Sequence, residues 1–155
     1  MTTTAPRMSQ TLPEEYRGRL MRIAREVTFE PHRRLFEEGS RADRFWVVRS
    51  GSVALDMRVP GRRAPFVESL GRGELIGWSW LFPPYVWQLG AETETPVRAH
   101  EFDACTVRLM CASDPGLGSF VAQWVGGILA HRLSVTRSRL LDVHVPYGPY
   151  GYDAA

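Results

Sequence analysis

Between residues 71 and 79 the chain reads GRGELIGWS, with glycines at 71, 73 and 77 and a hydroxyl at Ser79. Glycines at this density let backbone N–H groups approach an anion closely, so the segment is a candidate phosphate cradle. Its spacing is one residue too long for a dinucleotide-binding fingerprint, and Pro83-Pro84 forbids the helix such a fingerprint must open. No counter-charge follows. Arg and Lys are absent from 73 through 97, and Trp78, Trp80, Phe82, Tyr85 and Trp87 crowd the same stretch. A loop shaped for an anion thus runs straight into bulky amphipathic rings.

The other reactive residue types form no constellation. His32, His100, His131 and His144 stand singly, and none has a second ligand at metal spacing, so no metal site is expected. Cys105 and Cys111 lie six apart on an expected helix and point to different sides, which suits neither a disulfide nor a shared metal. The sequence has no P-loop, HExxH or GxSxG pattern. Glu37-Glu38 needs no explanation beyond solvation at a strand end, and no nucleophile is paired with a base. A non-enzymatic protein without a cofactor is the expectation.

A chain of 155 residues, 44% apolar and 23% charged, forms one domain with a real core. The formal net charge is +2, and no basic run exceeds Arg33-Arg34 or Arg62-Arg63, a weak footprint for nucleic acid. No apolar segment is long enough to span a bilayer, and MTTTAPRMSQ has no signal core, so the expected location is the cytoplasm.

The elements that must position the loop follow from periodicity. Residues 1–11 read as a flexible leader, with Thr11 and Glu14 close to a capping box, and 12–25 as a short amphipathic helix. From Glu26 onward, short apolar runs alternate with turn residues at intervals of roughly ten, the rhythm of an antiparallel sandwich or roll. Trp46, Val48, Val53 and Leu55 are expected on one face, with VPGRRAP (59–65) as a hairpin loop and Pro96 opening a strand. Asp103 is a plausible N-cap for a helix over 104–113, and Pro115 begins a long helix over 116–142. On that helix Leu117, Val121, Trp124, Ile128 and His131 recur at steps of four and three, which suits either a dimer seam or packing on the protein's own sheet. A seam would place His131 opposite its symmetry mate, where protonation in acid would loosen the dimer. The tail 143–155, VHVPYGPYGYDAA, cannot continue the helix and reads as flexible.

A helix, about eight strands, a short helix and a long helix resemble the cyclic nucleotide-binding domain, the sensor of catabolite activator protein relatives. The resemblance covers 12–142. Its most specific piece is LFEEGSRADRFWVVRSGSVAL (35–55), in which Gly39, Ala42, Asp43, Trp46, Val48, Gly51 and Val53 match the family's spaced pattern. LGRGELIG (70–77) resembles the approach to the family's phosphate-binding cassette. The resemblance implies a mainly β fold, an antiparallel β-roll of jelly-roll type with flanking helices. It also implies a ligand pocket at Gly73, Glu74, Leu75, Ile76, Gly77, Trp78, Ser79, Tyr85, Val86 and Trp87.

Within that pocket the family's ribose-binding Glu follows the cassette glycine, whereas here Trp78 follows Gly77. The family's phosphate-binding Arg falls, counting back from Ala91, on Tyr85 or Val86. Each charge-assisted contact contributes about 1.5–3 kcal/mol, so two missing contacts weaken nucleotide binding by roughly two to four powers of ten. The rings can fill the pocket, line it for an apolar ligand, or present Trp80, Phe82 and Tyr85 to a protein partner. About thirteen residues follow Asp142, too few for the DNA-binding unit common in the family. The expectation is a regulatory or interaction module, homodimeric through the long helix, that docks on a larger protein complex and binds neither DNA by itself nor a membrane. The alternative is a small-ligand sensor that takes a cyclic nucleotide in a non-standard pose or an apolar metabolite.

Overall fold

A computed structural model describes residues 5–61 and 66–144. Two short helices, α1 (Met8–Thr11) and α2 (Glu14–Ile23), precede eight strands, and α3 (Ala104–Ser113) and α4 (Pro115–His144) follow them. The strands are β1 (Arg25–Phe29), β2 (Arg34–Phe36), β3 (Arg44–Ser50), β4 (Val53–Asp56), β5 (Phe66–Leu70), β6 (Leu75–Ile76), β7 (Gly90–Thr93) and β8 (Val97–Asp103). They form two four-stranded antiparallel sheets, ordered β1-β8-β3-β6 and β2-β7-β4-β5. The expected fold class is the one observed.

Alternation explains the sandwich. Val53 and Leu55 are buried on β4 while Ala54 and Asp56 are half-buried, the pattern of a strand with one inward face. β3 differs: Phe45, Trp46, Val47 and Val48 are all buried. Trp46 faces Phe36 and Phe29, whereas Phe45 turns the other way onto Phe102 of β8, so β3 is covered on both sides. Trp46, Val48, Val53 and Leu55 join one core although β3 and β4 belong to different sheets. The crossing between them turns at Gly51, where φ is +96° and an added Cβ would stand 2.2 Å from the Pro96 carbonyl oxygen. In the second sheet, Arg34 of β2 makes a two-pronged ion pair with Asp56 of β4, one prong at 2.7 Å. β4 and β5 form the expected hairpin, whose loop residues 62–65 lie outside the described residues.

The termini depart from expectation. Ala5 and Met8 are buried, and α1 packs on α4, so residues 5–11 belong to the domain and are not a loose leader. The helix expected over 12–25 is α2, which begins at Glu14 with Pro13 at its N-cap and no side-chain cap. Thr11 ends the separate α1, whose own start is closed by Arg7 N–H donating to Gln10 Oε1 at 2.9 Å. Residues 1–4 and the tail from 145 lie outside the described residues. Asp103 does cap α3, with its carboxylate accepting from Thr106 N–H at 2.9 Å.

The face of α4 is the largest correction. Leu117, Val121, Trp124 and Ile128, expected as a dimer seam, are each at most 2% exposed within one chain. They pack in the domain's own core, and Trp124 Nε1–H donates to the Pro6 carbonyl at 3.3 Å. The bulky stripe turns inward because burying it gains the most apolar contact. His131 likewise turns onto its own domain, with Nε2 3.7 Å from Glu68 Oε1 of β5. Gly126, Ala130, Leu133, Arg137 and Leu140 recur at the same spacing on the exposed side.

Candidate functional site

The glycine loop and the aromatic run wrap one end of the roll. β6 puts Leu75 and Ile76 into the core, and Glu74 Oε2 accepts from Gly71 N–H at 2.6 Å, which closes the turn before it. Gly73 lies on the outer side, beneath the Arg7 side chain. Gly77 then bends the chain, with φ at +83°. The six-membered ring of Trp87 occupies the space beside it, 2.1 Å from where a Gly77 Cβ would stand, so no larger residue fits.

Trp87 fills the inside of the roll at this end. Its ring stacks on Phe36 with centroids 3.8 Å apart and lies 6.5 Å from Trp46, which is itself 5.9 Å from Phe36, so the three rings form a triangular cluster between the sheets. The cavity left beside Gly77, Trp78, Ser79 and Trp87 is about 10 Å³, at or below the room one water needs. The hydroxyl of Ser79 is buried and accepts from Gln88 N–H at 3.4 Å. Trp78 is half-buried and meets the exposed Phe82 edge-on, at 6.3 Å between centroids.

Trp80 follows a different route. The 3₁₀ turn Ser79–Leu81 carries it to the opposite side of β3, where it stacks on Phe45 at 3.8 Å and is fully buried. Trp80 is therefore unavailable to a partner, which corrects its place among the contact candidates. Phe82 remains exposed at 42%, next to the exposed Pro83 and Pro84. Tyr85 is held at φ +58° with the guanidinium of Arg108 4.0 Å above its ring. Arg108 Nη1–H also donates to the Trp80 carbonyl at 2.6 Å, so one α3 side chain clamps both ends of the loop. Val86 pairs with Arg41 in an isolated bridge, and a hollow of about 450 Å³ opens between Tyr85, Arg41, Asp43 and Arg108.

The candidates thus separate. Gly77, Trp78, Ser79 and Trp87 surround the filled chamber; Tyr85 and Val86 line the neighbouring hollow; Gly73 faces away from both.

Arg132, not among the sequence candidates, lines the chamber from α4 and sits 3.5 Å from Glu68 Oε2. Among the described residues neither Glu68 Oε2 nor Arg132 Nε has a hydrogen-bond partner. Burial pushes the Arg132 guanidinium below its ordinary value, against the opposing pull of Glu68 and Glu74. Its position was readable, since it follows the buried Ile128 by one helical turn.

Among the described residues no group of three or more His, Cys, Asp or Glu could hold a metal ion, and no helix is long and apolar enough to cross a membrane. Cys105 and Cys111 are separate free thiols, and burial raises the latter above its ordinary value.

Known proteins share the fold. A sequence profile described as the cyclic nucleotide-binding domain matches residues 26–114. A CRP-like cAMP-activated global transcriptional regulator of Mycobacterium tuberculosis is 29% identical over 117 residues, covering 76% of this chain and 50% of the regulator. The chain therefore spans about half the length of the curated relatives it matches. The N-terminal domain of a Streptomyces coelicolor transcriptional regulator superposes with a TM-score of 0.65 at 26% identity, covering 86% of this chain and 91% of that one. Thermus thermophilus catabolite activator protein, at 19% identity, shares the fold with a TM-score of 0.70, covering 86% and 61% of the two chains. With the profile spanning more than half of the sequence and the two-sheet roll around it, this chain belongs to the cyclic nucleotide-binding domain family.

Proposed function

We propose that this domain is a non-enzymatic regulatory module that acts through protein contact and does not sense a cyclic nucleotide. The single observation that carries this reading is Trp87, which occupies the inside of the roll beside Gly77 and leaves a cavity of about 10 Å³. A nucleotide would have to displace a ring that is only 3% exposed and stacked on Phe36. It would then meet no cassette arginine, since none occurs from 73 through 97, and Trp78 where the family's glutamate follows the glycine. Within the aromatic loop, Phe82 and the Pro83-Pro84 pair supply the accessible apolar surface, and Arg108 holds it in one shape.

Self-association belongs to the same proposal. Gly126, Ala130, Leu133 and Leu140 form an exposed stripe on α4, and nothing lies within 4 Å of a Cβ added at Gly126. Two copies could pack closely along that stripe through its small residues and leucines.

A thermal-shift panel tests the proposal. Cyclic AMP and cyclic GMP at 100 µM should each move the midpoint by less than about 1 °C, because a ligand far below its dissociation constant adds almost no stability. Saturable stabilisation at low micromolar nucleotide would instead establish the sensor alternative.

A further inference from the structure

On the side of the first sheet away from Trp87, α1 and α2 stand over β3 and leave a groove of about 330 Å³. That volume lies at the lower bound of small-molecule sites. Its floor is apolar, made by Met8, Met21 and Val47. Its rim is cationic: Arg7, Arg17 and Arg72 come from α1's N-terminal edge, α2 and the turn before β6. No Asp or Glu lines the groove. Among the described residues no carboxylate pairs with Arg7, Arg17 or Arg72, and the one contact Arg17 makes is to the Ser9 carbonyl at 3.3 Å. A fourth arginine, Arg49, is neutralised by Glu26 at 2.7 Å. Elsewhere Arg19, Arg25, Arg34 and Arg98 each meet an acid, whereas Arg22, Arg33, Arg41, Arg108, Arg137 and Arg139 meet none among the described residues, so the groove is set apart by three such groups meeting at one apolar floor. Three uncompensated guanidinium groups around one apolar floor form a local excess of positive charge within a chain whose net charge is only +2.

We infer that this groove binds a small anionic amphiphile, a molecule with one carboxylate or phosphate head and a short apolar body. The head would sit among the three guanidinium groups, whose planar forks suit bidentate recognition of such oxygens. The body would lie on the two methionines, whose flexible thioethers adapt to varied shapes. The apolar floor is only three side chains across, which suits the short body of a free small molecule and not a membrane surface. Neither the aromatic cluster nor the α4 stripe takes part, so this inference stands or falls separately from the proposed function.

Octyl phosphate, below its micellar concentration, is a suitable probe on the full 155-residue chain. Titration calorimetry should give one saturable site, and methyl NMR of ¹³C-methionine protein should shift Met8 and Met21 while leaving Met57 and Met110 in place. Octanol and inorganic phosphate should each bind at least tenfold more weakly, since each supplies half of the required chemistry. The double variant R17A/R72A should weaken octyl phosphate by about a hundredfold or more, the effect of losing two charge-assisted contacts. R22A/R41A, which removes the same charge elsewhere, should not. Circular dichroism melts of both variants check that the fold survives, and the NMR shifts report the site independently of stability. Equal binding of octanol, unchanged affinity in R17A/R72A, or shifts outside Met8 and Met21 would overturn the inference. So would binding confined to phosphatidylglycerol vesicles.

Discussion

Replacing Trp87 by alanine removes the ring on which the filled chamber depends. Trp87 is 3% exposed, stacks face to face on Phe36 at 3.8 Å and abuts Gly77, so its neighbours cannot all collapse into the space it leaves. Truncating a buried Trp costs about 3–5 kcal/mol. For a domain of this size each kcal/mol moves the melting midpoint by about 2–4 °C, so W87A should melt roughly 6–20 °C below the parent. The cavity so made is flat and mostly apolar, with Arg132 of α4 at its wall and no arginine from the cassette itself. Indole should fill it and return about 1.4 kcal/mol at ten times its dissociation constant. Cyclic AMP should return nothing measurable at 100 µM. The assay is urea denaturation with and without each ligand, following circular dichroism because the substitution removes one fluorophore. A loss below about 1 kcal/mol would mean the ring is not part of the core. Recovery by cyclic AMP and not by indole would mean that the chamber still grips a nucleotide. Either result refutes the reasoning.

Gly77→Ala should destabilise by roughly 1–3 kcal/mol through its positive φ alone, and by more because the new Cβ meets Trp87, as denaturant midpoints would show. Asp103→Ala should cost about 1 kcal/mol through loss of the α3 cap, with Asp103→Asn retaining most of it. Asp103 is held below the usual carboxylate range by Thr106, Glu94 by Ser52 and Ser69, and Asp114 chiefly by Arg19. Their folded forms bind protons less readily than the unfolded chain, so the stability they add is complete above about pH 5 and disappears as pH falls through the carboxylate range. A pH series of urea midpoints should decline only on the acid side of that window. Leu133→Glu should raise the dimer dissociation constant at least tenfold in sedimentation equilibrium, whereas Leu109→Glu, equally exposed but on α3, should leave it unchanged.

Much of the fold was legible because its signals are local. Alternation marked β4, the Asp103 cap fixed the start of α3, and Gly51 marked a turn whose close approach to Pro96 admits no side chain. The face of α4 was not legible. Leu117–Ile128 and Gly126–Leu140 both recur at steps of three and four, and only the bulk of the surrounding roll and of Ala5–Met8 decides which turns inward. In the aromatic loop, Trp78, Trp80 and Trp87 stood out by their density beside the glycines, but their directions depend on a 3₁₀ turn at Ser79 that sequence spacing does not specify. The turn sends Trp80 across β3, and Trp87 returns to the other side, so one run of rings serves two packing layers. The inward position of Arg132 was readable from Ile128 one turn before it, but its meeting with Glu68, like that of the groove arginines, exists only in three dimensions, between elements far apart in the chain.

Calorimetric titration of cyclic AMP into the unaltered protein tests most directly whether Trp87 excludes a nucleotide from the roll. The account predicts no saturable heat up to about 1 mM, the range expected when two charge-assisted contacts are missing from a micromolar site. A stoichiometric isotherm with a low-micromolar dissociation constant would contradict it.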